Sequence, residues 1–567
     1  MSAYHKIVVS NVKSKNLLYI ENYFNNMVED LNDSEKLRRV SREIIKYLLE
    51  NPNTSRHRIT NIKGKIGKKY SLNNVIKNAT ILGFATIEEK KSITPLLKRR
   101  KTRTISGVSV IAIMTKPLPC PGTCIYCPGQ NSQPGQKVAQ SYTGQEPAAL
   151  RSINNQYDPF KQVQSRISDL EAIGHDIDKI ELICMGGTLL STPLNYQQQF
   201  IQGAYEGILN KKVSDLNEAK RLAENSKRRL IGLTIETRPD YCKEEHVDRM
   251  LSYGVTRVEL GIQTVFDDVF ELVKRGHTTR DNIEAIRIAR DAGLKINAHI
   301  MPNLPGSNYN RDLSLFHILF SNSDYRPDML KIYPCLVIKG TELYEWWKND
   351  IYHPYSTDQL IDLITQVKKE IPPYVRIQRI MRDIPAPLIE AGCKKSNLRQ
   401  LVKARLDEDN SKCKCIRCRE YGIALNKEPY NENKFEGYKL KRINYEASQG
   451  EEIFLSFEND DLLLGYLRLR KPSEFSHRSE LNDGNTLIVR EIRIVGELVQ
   501  TNTIPNNINQ IQHRGFGKML MEEAEKISRE EYDAKKLAVI SGVGARNWFY
   551  KKGYELDGLY VSKNLVF

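Results

Sequence analysis

Cys120, Cys124 and Cys127 stand in the run Cys-Pro-Gly-Thr-Cys-Ile-Tyr-Cys. That spacing lets three thiolates hold three irons of a four-iron cluster and leaves the fourth iron open for chemistry, whereas an electron carrier saturates its cluster with four cysteines. Pro121, Gly122, Pro128 and Gly129 put the run on an exposed loop. A zinc site short of one ligand and unconnected buried cysteines are the alternatives that remain open. A second constellation, Gln512-His-Arg-Gly515-Phe-Gly517, leads into a helical pattern. Its glycines let the backbone approach a ligand, and the free amides of a helix start favour a pyrophosphate. A third, Cys413-Lys-Cys415-Ile-Arg-Cys418, has three closely spaced thiols that favour zinc. Cys393, Cys335 or a histidine could complete it, and reduced surface cysteines are the other reading.

The elements that must carry these residues are legible in outline. Apolar periodicity over 34–49 and 73–82, with a break at Gly83, predicts a helical module in the first ~90 residues. From about 105 onward short apolar runs alternate with amphipathic helices, and 108–114, 180–185, 230–235, 258–262, 295–299 and 329–332 read as strands. Six such units predict an α/β fold with a parallel, partly closed (β/α)6 barrel. Barrels of this kind place their active sites at the carboxyl ends of the strands. Gly186-Gly187-Thr188, Glu236-Thr237-Arg238, Gln263 and His299 fall there. Over the last ~120 residues, 454–457 and 462–470 read as an antiparallel pair, 487–495 as a further strand and 516–531 as a helix.

The chain has 567 residues and a net charge of +16, and one segment makes it basic. Residues 51–116 carry fifteen Lys/Arg against two Asp/Glu. Arg56, Arg58, Lys63, Lys65, Lys68 and Lys69 flank Tyr70, and Lys98-Arg99-Arg100-Lys101 with Arg103 leads toward the cysteine loop. A phosphate backbone is the partner this concentration favours, with an acidic protein surface as the alternative. Neither an apolar stretch of ~18 residues nor a charged-then-apolar leader is legible, which predicts no membrane partner and a cytoplasmic protein. Ten cysteines suit ligands or reduced thiols there.

The three-cysteine loop with Tyr126 before its last thiol resembles the signature of radical S-adenosylmethionine enzymes, and the 512–517 turn, followed by Ala538-Val-Ile-Ser541 and Asn547 to Tyr554, resembles the acetyl-coenzyme A site of a GNAT acyltransferase. Together they resemble the catalytic subunit of Elongator in its stand-alone archaeal or bacterial style. The likeness runs from about residue 90 to the end, through Ser141-Tyr-Thr-Gly-Gln-Glu-Pro147, Tyr157-Asp-Pro159, Met185-Gly-Gly-Thr188, Ile235 to Cys242, Arg379 to Pro387 and Lys394 to Arg399.

The residues and this resemblance together divide the chain into a basic helical tRNA-binding region over 1–90, a radical barrel over 91–395, a cysteine-containing linker with zinc over 396–440 and a GNAT domain over 441–567. It implies carboxymethylation at C5 of the wobble uridine of tRNA, using S-adenosylmethionine, acetyl-coenzyme A and an electron donor. A 5′-deoxyadenosyl radical would take hydrogen from the acetyl methyl group, and the carbon radical would add to C5. Cys120, Cys124 and Cys127 would ligate the 4Fe-4S cluster. Gly186, Gly187, Glu236, Arg238 and Gln263 would contact S-adenosylmethionine or substrate. Lys179, Glu491, Ile492, Arg493, Ile494, Arg514, Gly515, Phe516, Gly517, Lys518 and Phe549 would hold acetyl-coenzyme A. Where the family often has two tyrosines this chain has Trp548-Phe549, which displaces a phenol able to protonate a leaving thiolate. A lysine acetyltransferase with a structural cluster and a non-catalytic RNA-binding scaffold are the competing readings. Homo-oligomers or Elongator-like subunits are further possible partners.

Overall fold

The computed structural model describes residues 35–72, 75–76, 78–97, 106–129, 138–424, 437–459, 462–499 and 511–566. The chain divides into two compact units, one of 1–101 with 168–175 and one of 102–167 with 176–567.

The first unit is helical. A helix over 35–50 is followed by Arg56–Lys69, Asn78–Gly83 and Ile87–Leu97. Ser55 caps the second helix by accepting the Arg58 amide at 3.4 Å, satisfying one of the donors that a helix start leaves free. Val40, Ile44, Ile45 and Leu48 pack with Ile59, Ile81, Leu82, Ile93 and Leu97 into its core. Helix Arg56–Lys69 lies within the stretch expected to be helical, although its own apolar positions are sparse among the basic ones.

In the second unit seven parallel strands form one curled sheet in sequence order. They are β1 (Ser109–Met114), β2 (Lys179–Met185), β3 (Arg229–Thr237), β4 (Arg257–Gln263), β5 (Lys295–Ile300), β6 (Met329–Ile332) and β8 (Arg376–Ile380). Between β6 and β8 runs β7 (Val337–Ile338), paired antiparallel with β9 (Ile389–Ala391). The six expected strands lie where the apolar runs placed them, and β8 adds a seventh. Its sequence Arg-Ile-Gln-Arg-Ile hides it, since Arg376 is buried only because Glu420 accepts its Nε at 2.6 Å.

A second, mixed sheet has the order β10 (Lys439–Ala447), β11 (Gly450–Asn459), β12 (Leu462–Lys471), β13 (Thr486–Ile494), β14 (Lys536–Val539), β16 (Tyr560–Asn564) and β15 (Glu555–Asp557). Strands β10 to β13 are antiparallel neighbours, and β13 and β14 are parallel across the helix Phe516–Glu530. That helix buries Leu520, Met521, Ala524 and Ile527 against Leu467, Leu469, Leu487 and Val489, the apolar stripe expected of a surface helix.

The two sheets meet through buried charge. Arg490 donates to both oxygens of Asp328 at 2.6 and 2.9 Å, to Glu452 at 2.8 Å and to the Leu294 carbonyl. Arg470 donates to Asp291 at 2.6 Å. Gly542 and Gly544 lie against the backbone of β3, where a Cβ at either would collide.

Candidate active site

The cysteine loop sits at the carboxyl mouth of the seven-stranded sheet. Its backbone is pinned by Ile125 N–H to Val273 O at 3.2 Å and by Leu343 N–H to Ile125 O at 2.9 Å. Cys120, Cys124 and Cys127 line one cavity together with Gly187, Glu236, Gln263, His299, Lys331 and Tyr142. Each sulfur has a polar neighbour: Arg275 Nη1 at 3.5 Å from Cys124, Gln140 Nε2 at 3.4 Å and Ser141 Oγ at 3.3 Å from Cys127, and Thr188 Oγ1 at 3.9 Å from Cys120. Donors aimed at sulfur tune the potential of an iron–sulfur centre. Burial, reinforced by Cys124, pushes the Cys127 thiol up in the metal-free protein. The three thiols and their donors fit a cluster.

The cavity also has features that fit a small polar cofactor. Gly186 and Gly187 have φ of 109° and 67°, and a Cβ at Gly186 would stand 2.5 Å from Thr115 Oγ1, so only glycine serves there. Gln263 has φ of 64° and a buried Oε1 without a partner, an acceptor aimed at a ligand or water. Arg238 also lines this cavity. Its guanidinium is used up by Asp240 at 2.9 Å and by the carbonyls of Arg275 and Gly276 at 2.9 and 3.2 Å. A side chain at Gly122 would collide with it, so Arg238 braces the cysteine loop.

The cavity wall also carries a set of ionised groups, of which sequence reasoning missed Glu259 and Lys331. Glu259, fully buried on β4, accepts from Lys331 and from His299 Nε2 at 2.8 Å. Lys331 also reaches Glu236 at 3.3 Å, and Tyr142 donates to the other Glu236 oxygen at 3.0 Å. Burial alone raises the Glu259 carboxyl, but Lys331, His299 and Arg257 outweigh it and hold it well below the usual range. The only sequence signal was a charge at an interior position of an otherwise apolar strand.

The second sheet offers a ligand site of a different kind. Strand β13 pairs with β14 only from Thr486 to Val489, while its pairing with β12 continues to Ile494. Residues 490–494 therefore present one backbone edge without a strand partner among the described residues, beside the start of helix Phe516–Glu530. Gly515 caps that helix with φ of 91°, with no side-chain cap and no acidic residue in the first turn, and nothing lies within 4 Å of a Cβ built on it. Such an end suits a phosphate. Ile492, Ile494 and Phe516 pack on the core beneath, and Phe549 is buried in it. Glu491 is committed to Tyr466 and Arg468, both at 3.1 Å. Arg493 Nη2 donates to the Ser106 carbonyl at 3.2 Å. Lys518 pairs with Glu522 on the helix surface. Lys179, from the first residue of β2, crosses to this region and donates to Val499 O and Gln512 Oε1, both at 2.8 Å, with His513 Nε2 at 3.2 Å. Burial pulls its ammonium down to about 8.

Comparison with known proteins decides the family. The radical SAM superfamily matches residues 119–316, the radical SAM C-terminal domain 327–408 and the ELP3 N-terminal domain 37–105. The tRNA uridine(34) acetyltransferase of Methanocaldococcus jannaschii is 46% identical over 86% of this chain and 90% of its own length. Elongator complex protein 3 of Saccharomyces cerevisiae is 42% identical over 88% of this chain and 91% of its own. The chain belongs to the Elongator complex protein 3 family. The solved structure of the archaeal Methanocaldococcus infernus Elp3 with N-terminus deletion (1–46) superposes with a TM-score of 0.72 at 42% identity, covering 81% of this chain and all of that one.

In this Elongator complex protein 3 relative, the helix Arg56–Lys69 lies within the segment that the ELP3 N-terminal domain matches. At about 100° per residue, Arg58, Lys65 and Lys69 fall within roughly 40° of one another, and they and Lys68 are exposed. Lys69 is also paired with Glu43 at 3.0 Å. Lys63 turns inward and donates to Asn78 at 2.5 Å, so it serves the helical core. The Arg56 side chain, Lys98, Arg99, Arg100, Lys101 and Arg103 lie outside the described residues.

The thiols of Cys413, Cys415 and Cys418 converge within 4.8 Å of one another. Among the described residues neither Cys393 nor Cys335 joins them: Cys335 belongs to the core under the cluster loop, and Cys393 faces Thr357 at 3.9 Å. Lys368 Nζ reaches Cys418 at 3.6 Å. No helix is long and apolar enough to cross a membrane, among the described residues.

Proposed function

We propose that this protein carboxymethylates C5 of the wobble uridine of tRNA, with Cys120, Cys124 and Cys127 holding a 4Fe-4S cluster. One observation supports joining two chemistries in one reaction: Lys179, on a strand of the radical barrel, donates to Val499 and Gln512 beside the Gly515 turn of the second sheet. S-adenosylmethionine bound with the cluster would supply a 5′-deoxyadenosyl radical able to take hydrogen from a methyl group. The chain's own residues would do the rest. Gly186, Gly187 and Gln263 would seat the cofactor, Glu236 and Lys331 would meet polar groups in the cavity, and the arginine-braced loop would keep the three sulfurs in place.

The second sheet has the features of a GNAT acyltransferase domain. Helix Phe516–Glu530 would take the pyrophosphate of acetyl-coenzyme A at Arg514 to Lys518, and the open edge at 490–494 would receive its pantetheine amides. Phe549 lies in the core and carries no phenol, Tyr554 donates to Glu525 at 2.9 Å, and Tyr550, one position after Phe549, packs half-buried against the same core. The exposed basic face of Arg56–Lys69 would contact the tRNA backbone. Cys413, Cys415 and Cys418 would hold a structural zinc.

Cys124→Ser is expected to abolish formation of carboxymethyluridine on tRNA while acetyl-coenzyme A and tRNA still bind. Undiminished product from that variant would contradict the radical reading and revive acyl transfer with a structural cluster.

A further inference from the structure

The radical cavity contains one group built to accept a proton. Glu259 is fully buried and gathers Lys331, His299 and the Arg257 Nη2 at 3.5 Å, so it stays an anion. A carboxylate can only accept. The hydrogen bond of 2.8 Å to His299 Nε2 therefore places a proton on Nε2 and leaves Nδ1 as the ring atom that can take one from a substrate. That ring lines the cavity, and its Nδ1 has no hydrogen-bond partner among the described residues. The same dyad, with a buried carboxylate fixing the imidazole tautomer, makes a base in hydrolytic enzymes.

The other groups on the cavity wall are engaged: Glu146 accepts the Thr143 and Gly144 amides, and Asp383 pairs with Arg379. Lys331, held between Glu259 and Glu236, remains a cation. Tyr142 is kept a neutral phenol by burial and by Glu236. Glu236 has one oxygen on Lys331 and the other on Tyr142. Arg275, Arg379 and Arg382, on the cavity wall, have no proton acceptor at all.

We propose that His299 is the base that receives the proton lost from C5 of the acceptor uridine, with Glu259 as its positioning residue. The inference rests on the carboxymethylation reading. Once the acetyl-derived carbon has bonded to C5, the adduct carries its unpaired electron on C6 and retains the original C5 hydrogen. Restoring the C5=C6 bond breaks the C5–H bond. The proton goes to Nδ1 of His299, two of the three electrons form the π bond, and the third leaves to a one-electron acceptor of the oxidised iron–sulfur class.

The test uses the reconstituted holoenzyme with tRNA and acetyl-coenzyme A under single turnover. His299→Gln keeps a donor for Glu259 but removes the base. It is expected to form 5′-deoxyadenosine within about threefold of wild type while carboxymethyluridine falls about 100-fold, the scale of a lost general base. Product within threefold of wild type overturns the assignment, as does an equal loss of 5′-deoxyadenosine, which would make His299 part of cofactor binding. A wild type that makes neither compound removes the carboxymethylation reading itself and the proposal with it. Independently of turnover, imidazole ¹⁵N shifts of the apo protein, assigned by difference with His299→Gln, should report the Nε2–H tautomer at pH 8. A proton on Nδ1 there overturns the proposal.

Discussion

Lys179, on a barrel strand, donates to Val499 and Gln512 beside the Gly515 turn, the proposed coenzyme site. Hydrogen bonds made by a charged group contribute about 1.5–3 kcal/mol, so Lys179→Met should weaken acetyl-coenzyme A binding about 10- to 100-fold, measured by calorimetry, with the iron–sulfur spectrum unchanged. Because burial brings the free ammonium to about 8, the wild-type affinity should fall as pH rises through 8, and the variant should show no such slope. Lys179, the three loop cysteines and the Gly515 turn were legible as chemistry in the sequence because spacing or family pattern marks them. Glu259 and Lys331 were not. Each is a single charge inside a run of apolar residues, and only folding brings β4 and β6 close enough for the two to neutralise each other.

At the scale of elements, the proposed acetyl-coenzyme A site occupies a place where regular strand pairing stops. The open stretch of β13 begins where β14 ends, and Gly517 opens the helix beside it. A Cβ at Gly517 would sit 3.7 Å from Trp548, an ordinary contact, and alanine is a better helix former by up to about 1 kcal/mol. Gly517→Ala should therefore leave the melting temperature unchanged or raise it, while weakening acetyl-coenzyme A binding at least tenfold if a phosphate must reach that backbone. Equal affinity would mean that the anion binds elsewhere. Strands β1 to β6 were legible because a sheet covered on both faces needs nearly continuous apolar runs. Strand β8 was not, since the burial of Arg376 depends on Glu420, a residue of a later segment. Helix Arg56–Lys69 falls within the stretch read as helical, but its bounds were not legible because its apolar positions are sparse among the basic ones.

Within the larger unit the two sheets are joined by paired ions. Asp328 is flanked by Arg490 and Arg468, and removing one member of a buried pair costs about 3–5 kcal/mol, so Asp328→Ala should lower the free energy of unfolding by that scale, measured by denaturant titration. The same contacts predict acid sensitivity. Burial raises the Glu181 carboxyl, but Arg257 and Arg493 outweigh it and bring it from 4.5 to about 2. A carboxyl held low in the fold contributes its full stability above its unfolded value and loses it on acidification. Denaturant titrations should therefore show stability level above pH 5 and declining between about 4.5 and 2, and Glu181→Gln should flatten part of that decline.

The whole chain is read as one machine in which a radical formed at the cysteine loop reaches an acyl group presented by the second sheet. The most direct measurement is to supply acetyl-coenzyme A deuterated in its methyl group and to analyse the 5′-deoxyadenosine by mass spectrometry. Deuterium transferred to 5′-deoxyadenosine, dependent on tRNA and lost in Lys179→Met, is the predicted result. 5′-Deoxyadenosine formed in the presence of tRNA but free of deuterium would contradict it, because the radical would then have taken its hydrogen from somewhere other than the acetyl group.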